Sequence, residues 1–157
     1  MVIGTKQKPT ALRPLERSLT ISLLRAREAV MARFRPVLHS HGVTEQQWRV
    51  IRVLAERHAC DASELAAASC ILPASLSRIL RTLQSARVLR ATPSSADSRR
   101  LVVKLAAAGR RLFAQIGAES EAVYQRIEHE VGQSELEATL ARVNQLAARL
   151  TRQGVNR

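Results

Sequence analysis

The sequence predicts a mainly α-helical chain with one small two-stranded β-hairpin, and three observations support this fold class. Apolar residues make up 46% of the 157 residues and aromatic residues only 3%, a composition that favours helices packed by aliphatic side chains. Apolar side chains recur at spacings of three and four along most of the chain, which is the period of an amphipathic helix. The exception is a pair of short β-prone runs, 88–92 and 101–105, separated by the polar, turn-rich stretch 93–100.

The helices can be placed in chain order from their caps and breakers. Ser18 can cap a first helix that ends near Gly42, a residue suited to the left-handed position after a helix, and Pro36 should kink its last turns. Thr44 with Gln47, and Asp61 with Glu64, have the spacing of capping boxes. The later helices are predicted at 45–57, 63–68, 74–86 and 106–131, followed by a last helix that begins with another capping box, Ser134 with Glu137.

The stretch 72–105 carries the clearest functional signal. Leu76, Leu80 and Leu83 share one side of the helix predicted at 74–86. The other side has hydroxyl and guanidinium groups and no acid, namely Ser75, Ser77, Arg78, Arg81 and Thr82. Such groups hydrogen-bond to base edges and phosphates, so this helix has the side chains needed in a major groove. With the 63–68 helix and a turn ending at Pro73, it is predicted to form a helix-turn-helix.

The predicted hairpin carries arginines on its first strand and at the end of its connecting stretch. These are Arg90, Arg99 and Arg100. A recognition helix followed by a basic hairpin is a winged helix. We therefore expect these arginines to reach the DNA backbone or the narrow minor groove.

The positive charge is concentrated in the first two thirds of the chain. Residues 1–111 hold 20 Lys and Arg against 7 Asp and Glu, whereas residues 112–157 hold 5 against 6. A basic body joined to a near-neutral helical tail indicates a nucleic-acid face and a separate protein-contact face. The alternative explanation is an arginine-rich composition in general, since 22 of the 25 basic residues are Arg.

The domain organisation follows from these patterns. Residues 1–17 are predicted to be a flexible basic N-terminal arm and residues 18–157 a single domain. Within it, 44–105 are the winged-helix DNA-binding lobe, and 18–42 and 106–152 are dimerisation helices. Because the terminal helices cannot bury their apolar stripes on a small winged helix, we expect a homodimer on a palindromic DNA operator. A monomer with these helices folded back as a cap is the alternative.

Other function classes find little support in the sequence. Cys60 and Cys70 do not make a disulfide framework or a metal-binding pattern, and no signal peptide or membrane span is apparent, so a cytoplasmic location is expected. Without a Gly-rich phosphate loop or metal-ligand spacing, neither enzyme activity nor a cofactor is expected. The competing class is an architectural protein that binds DNA without sequence preference and without a ligand.

Residues 19–150 resemble the MarR family of bacterial transcription regulators. Three features carry the resemblance: residues 44–50, Ser77-Arg78 followed by Leu83-Gln84, and residues 97–100 followed by Leu105 and Gly109. The pattern Asp97-x-Arg99 is the most specific of them. More narrowly, 19–21, 26–29, 34–36, 44–49 and 70–72 resemble the branch that represses homoprotocatechuate and related aromatic-acid catabolic operons. The resemblance implies a homodimeric repressor released by a small aromatic carboxylate, with Asp97 orienting a wing arginine. Asp97 as a simple turn residue, and regulation of another process such as stress or surface polysaccharide, are the alternatives.

Candidate effector contacts lie where the first two helices would meet the DNA-binding lobe. They are Ser22, Arg27, Trp48, Arg49 and Cys70. An anionic ring needs a guanidinium for its carboxylate and an apolar wall for its face. Other roles are open: a salt bridge for Arg27, a DNA or solvent contact for Arg49, and plain core for Trp48.

The sequence departs from the family pattern at two positions. Arg87 stands where the family usually has Gly after the recognition helix, and a left-handed backbone there would cost about 1 kcal/mol. Ala106 stands where Thr usually caps the long fifth helix, so a cap worth about 1 kcal/mol is missing.

Overall fold

The computed structural model describes residues 14–93 and 101–154, which contain a short 3-10 helix, six α-helices and three strands. After the 3-10 helix Leu15–Arg17, the helices are α1 Leu19–Ser40, α2 Glu45–Arg57, α3 Ala62–Ser69, α4 Pro73–Ser85, α5 Ala107–Val131 and α6 Gln133–Gly154. The strands are β1 Cys60–Asp61, β2 Leu89–Pro93 and β3 Leu101–Leu105. Within the described ranges, no helix is both long enough and apolar enough to cross a lipid bilayer.

The chain divides into two units, residues 1–33 and 34–157. In the described part of the first unit, α1 presents several large apolar side chains to solvent, namely Leu19, Leu23, Leu24 and Val30. The predicted basic arm, 1–17, lies mostly outside the described residues, and only its last part, 14–17, is seen.

The core of the second unit is formed by the apolar faces of α2, α3, α4 and α5 and the inner side of the sheet. Val50 and Ile51 of α2 and Ile116 of α5 have no exposed surface, and Leu76 of α4 is 2% exposed. The stripe of α4 runs through Leu76, Ile79 and Leu83, whereas Leu80 is only half-buried. The prediction that Leu80 faces the core was therefore wrong in part. The buried residues follow one another at spacings of three and then four, which centres the stripe on Ile79 and leaves Leu80 at its edge.

The predicted caps of α2 and α3 are confirmed. The Thr44 hydroxyl accepts from the Gln47 amide while the Gln47 side chain accepts from the Thr44 amide, and Asp61 and Glu64 make the same reciprocal pair. The prediction for α6 was wrong: the helix begins at Gln133, before Ser134, and Glu137 accepts from the Gln133 side chain instead.

The sheet has three antiparallel strands, in the order β1-β3-β2, and not the predicted two. Strands β2 and β3 pair from Leu89 opposite Leu105 to Pro93 opposite Leu101, and Cys60 of β1 pairs with Val103 on the other edge of β3. Two residues are too few to show the alternation by which a strand is recognised in sequence. This explains why β1 was missed.

Gly109 allows α5 to lie directly against the start of the hairpin. A Cβ atom there would be 2.2 Å from the carbonyl oxygen of Val88. That same oxygen accepts a hydrogen bond from the Ala106 amide at 2.9 Å. The Ala106 side chain makes no capping hydrogen bond, as predicted, so backbone contacts fix the entry of α5.

Arg87 has a left-handed backbone, with φ of +58°. We expect Arg87→Gly to raise the free energy of unfolding by about 1 kcal/mol, because glycine adopts positive φ without a steric penalty from Cβ. Urea denaturation monitored by circular dichroism would measure the change. Arg81→Gly is the control: it lies inside α4 and should lower the stability by about 1 kcal/mol. A destabilising effect of Arg87→Gly would contradict this expectation.

The two cysteines should differ in reactivity. Cys60 is 3% exposed and its pKa is raised, mainly because burial disfavours the thiolate, whereas Cys70 is exposed. We expect a disulfide reagent at neutral pH to modify one thiol rapidly and the second only on unfolding. The native state holds the Cys60 proton more tightly than the unfolded chain does. The free energy of unfolding should therefore fall as the pH rises above the usual thiol pKa. Rapid modification of both thiols in the native protein would contradict this assignment.

Candidate nucleic-acid interface and effector crevice

The helix-turn-helix consists of α3, a three-residue turn and α4. Helix α3 ends at Ser69, and the next residue, Cys70, has a left-handed conformation (φ 51°, ψ 49°) that turns the chain sharply. Leu72 follows in an extended conformation, and Pro73 begins α4 at a position where its missing N–H costs no hydrogen bond. The buried stripe of α4 holds the helix against the core, which leaves its other side free for a partner.

The outer side of α4 is polar and positively charged. Ser77, Arg78 and Arg81 are exposed, and Ser75 is half-buried. The Ser77 hydroxyl donates to the carbonyl oxygen of Pro73 at 3.2 Å, so its lone pairs can still accept a hydrogen bond from a base. All four predicted DNA contacts on this helix are therefore compatible with a helix that lies in a groove.

Of the predicted hairpin contacts, only Arg90 falls within the described residues. It is exposed on β2 and pairs in register with Lys104 of β3. Asp97, Arg99 and Arg100 lie in the segment 94–100, outside the described residues. Their roles in DNA binding stay predictions.

An aromatic crevice of about 150 Å³ lies among the last turns of α1, the start of α2 and the middle of α5. Two ring pairs form its walls: Phe34 with Tyr124, with ring centroids 4.8 Å apart, and Trp48 with Phe113, stacked at 5.7 Å. The other side chains that line it are Arg52, Gly117, Ser120 and Glu121. We call this site the aromatic crevice.

The aromatic crevice also contains polar groups suited to an anionic or hydroxylated ligand. The Arg52 Nη1 atom lies 3.5 Å from the Tyr124 hydroxyl, and Nη2 lies 3.6 Å from Glu56. Ser120 is 6% exposed, and its Oγ has no hydrogen-bond partner among the described residues. Because buried hydroxyls are normally satisfied, Ser120 is well placed to meet a ligand oxygen.

The predicted effector contacts are divided between the two units: Ser22 and Arg27 belong to the first, and Trp48, Arg49 and Cys70 to the second. Trp48 lines the aromatic crevice. Arg49 instead donates from Nη1 to the Cys70 carbonyl oxygen at 3.1 Å, with its Nε buried. Ser22 is exposed in the first unit, where Arg27 forms an ion pair with Glu28 at 2.5 Å.

Most of the aromatic crevice was not predicted from the sequence. One signal was present: Arg52 follows Trp48 by four residues, so both lie on the same side of α2. A second signal was the series Phe113, Gly117, Ser120 and Tyr124, whose spacings of four and three define one face of α5. What sequence could not show is that these two faces meet.

A capped helix-turn-helix followed by a basic β-hairpin defines a DNA-binding protein of the winged-helix class. The MarR family model matches residues 41–100. The HTH-type transcriptional regulator FarR of Neisseria gonorrhoeae is 43% identical over 120 residues, covering 76% of this chain and 82% of that protein. The homoprotocatechuate degradative operon repressor of Escherichia coli is 44% identical over 112 residues, covering 71% of this chain and 75% of that protein. The chain belongs to the MarR family of transcription regulators.

The fold is also found in a solved relative. The crystal structure of NadR in complex with 4-hydroxyphenylacetate is similar with a TM-score of 0.77 and 38% sequence identity, covering 89% of this chain and 98% of that one. The winged-helix fold and the resemblance to the MarR family are thereby confirmed.

Proposed function

We propose that this regulator represses an operon for the degradation of an aromatic or heteroaromatic acid, and that a small aromatic carboxylate releases it from a palindromic operator. The observation that carries this proposal is the aromatic crevice, in which four rings, the Arg52 guanidinium and the Glu121 carboxylate surround a space the size of a single ring. A cavity of roughly 150 Å³ is known to accommodate benzene.

The rings and the Arg52 guanidinium of the aromatic crevice suit an aromatic carboxylate. The ring walls can stack on a planar ligand, and Arg52 can bind a carboxylate by charge-assisted hydrogen bonds. Two relatives agree with this chemistry: one is a homoprotocatechuate degradative operon repressor, and the other was crystallised in complex with 4-hydroxyphenylacetate.

Dimerisation is proposed from apolar surface that each unit leaves exposed. In the first unit this surface includes Leu19 and Leu23, which are 49% and 39% exposed. In the second, α6 presents Leu140, Val143 and Leu150, which are 54%, 41% and 58% exposed. Burial of such surface in a two-fold dimer would place two α4 helices on successive turns of one DNA face, roughly 34 Å apart.

A direct contact links the wall of the aromatic crevice to the DNA-binding element. Trp48 lines the crevice, and its neighbour Arg49 donates to the carbonyl oxygen of Cys70 at the corner before α4. A ring inserted between α2 and α5 would move α2, and Arg49 would carry that movement to the helix-turn-helix. A changed separation of the two α4 helices would then release the operator.

A footprinting experiment tests the proposal. At physiological salt, we expect protection of one palindrome upstream of ring-degradation genes, and loss of this protection on addition of 4-hydroxyphenylacetate or a related benzoate, cinnamate or pyridine carboxylate. Uniform coating of DNA that ignores these acids would indicate an architectural protein. Specific protection that no aromatic acid affects would indicate a MarR-type regulator of another process.

A further inference from the structure

A second crevice, of about 380 Å³, lies at the base of the hairpin between the end of α2 and the first turn of α5. Three of its lining residues are basic: Arg90 of β2, Lys104 of β3 and Arg110 of α5. Its inner surface includes Leu105, which is 5% exposed, and the half-buried ring of Phe113. We call this site the basic crevice.

The described residues that line the basic crevice carry positive charge on three side chains. Arg90 and Lys104 stand directly opposite each other on neighbouring strands, where like charges destabilise a sheet. Arg110 adds a third charge, held in place as its Nη1 donates to the Leu105 carbonyl oxygen at 3.0 Å. No acidic side chain is among the described residues that line this crevice. A bound anion would relieve the repulsion.

A strained residue also borders the basic crevice. His58 ends α2 with φ of +64° and ψ of −38°, and the Ala59 amide donates to the Arg57 carbonyl at 2.7 Å across it. This three-residue turn with positive φ is rare and unfavourable for a non-glycine residue. It places the imidazole, a potential hydrogen-bond donor, on the lining of the basic crevice.

We propose that the basic crevice binds a small organic carboxylate, as a second ligand site beside the aromatic crevice. The three cations and His58 bind the carboxylate, and Leu54, Leu105 and Phe113 contact its carbon skeleton. A DNA phosphate fits less well, because it would leave this concave apolar lining exposed to water. Phe113 lines both crevices, so occupancy of one site alters the wall of the other.

Equilibrium dialysis of radiolabelled benzoate against the full chain tests this proposal. Ligand binding in the basic crevice does not depend on the proposed function. We expect two equivalents of benzoate per chain for the wild type. Arg52→Gln should lose the equivalent in the aromatic crevice and keep the other. Lys104→Gln should weaken the basic-crevice equivalent by roughly tenfold or more, the effect of one lost charge-assisted hydrogen bond.

Arg111→Gln is the matched control, because Arg111 is exposed on the same turn of α5 as Arg110 but does not line the basic crevice. It should bind as the wild type does. Arg90→Gln is a second test of the site, and it should reproduce the effect of Lys104→Gln. The wild type could instead bind a single equivalent of benzoate. If Lys104→Gln removes that equivalent and Arg52→Gln keeps it, the basic crevice is a ligand site and the aromatic crevice is not the effector site.

Unchanged benzoate binding by Lys104→Gln and Arg90→Gln, both folded, would overturn the proposal. Displacement of this benzoate by equimolar inorganic phosphate would overturn the assignment of an organic ligand. The proposal would also be overturned if the wild type bound a single benzoate equivalent that Arg52→Gln removes, and if Lys104→Gln bound DNA more weakly. The basic crevice would then be a DNA contact.

Discussion

Arg52→Gln should reduce the affinity for 4-hydroxyphenylacetate by about tenfold or more and leave operator binding unchanged. The guanidinium of Arg52 is the only arginine or lysine group among the described residues that line the aromatic crevice. A charge-assisted hydrogen bond is worth roughly 1.5–3 kcal/mol, and we expect the lower end because the Arg52 side chain is 47% exposed. Since Arg52 lies on α2 and not on α4 or the hairpin, the DNA contacts should survive.

Tryptophan fluorescence provides a direct measurement, because Trp48 is the only tryptophan and lines the aromatic crevice. Arg57→Gln is the matched control: Arg57 lies on the same helix, is exposed and does not line this crevice. Tyr124→Phe should have a smaller effect, since it removes only the hydroxyl near Arg52.

Arg27 was predicted from the sequence to bind the carboxylate, so an Arg27 variant tests the assignment of that role to Arg52. If Arg27→Ala abolishes release by the acid while Arg52→Gln responds normally, the carboxylate binds Arg27 and the assignment to Arg52 is wrong. Loss of operator binding by Arg52→Gln itself would show that Arg52 supports the fold, and its effect on release could not then be attributed to ligand contact.

The DNA-binding element was predictable because its signals are local. The stripe of Leu76 and Leu83 and the position of Pro73 placed α4 within one residue of each observed end. The caps of α2 and α3 were equally clear, because each involves residues only three positions apart. The family resemblance raised the case of a left-handed backbone at Arg87, and the structure has one there.

The aromatic crevice was not predictable for the opposite reason. Arg52 and Tyr124 are 72 positions apart, and their contact exists only because α2 packs on α5. Arg49 was predicted to contact the effector, and in the structure its Nη1 donates to the backbone carbonyl of Cys70. The helical period puts Arg52 on the side of Trp48, but which side of α2 faces α5 depends on tertiary packing and does not follow from the period.

Arg78→Ala should cost the largest amount of operator affinity. A good bidentate contact to a base is worth roughly 1–3 kcal/mol, and a homodimer would lose it in both half-sites, for a total of roughly 2–6 kcal/mol. Arg78 is exposed on the outer side of α4, whose buried stripe fixes its direction. Ser77→Ala should also change which sequences are preferred, with a smaller loss.

The measurement is a titration of the operator and of unrelated DNA at several salt concentrations, with Arg99→Ala as the comparison. Arg78→Ala should reduce operator affinity far more than affinity for unrelated DNA, because base contacts carry the sequence preference. Arg99→Ala should weaken binding to all sequences and flatten the salt dependence, since each phosphate contact releases about 0.9 counterion. Equal losses on both DNAs for Arg78→Ala would make Arg78 a phosphate contact, and unchanged operator affinity of Arg99→Ala would show that the hairpin assignment is wrong.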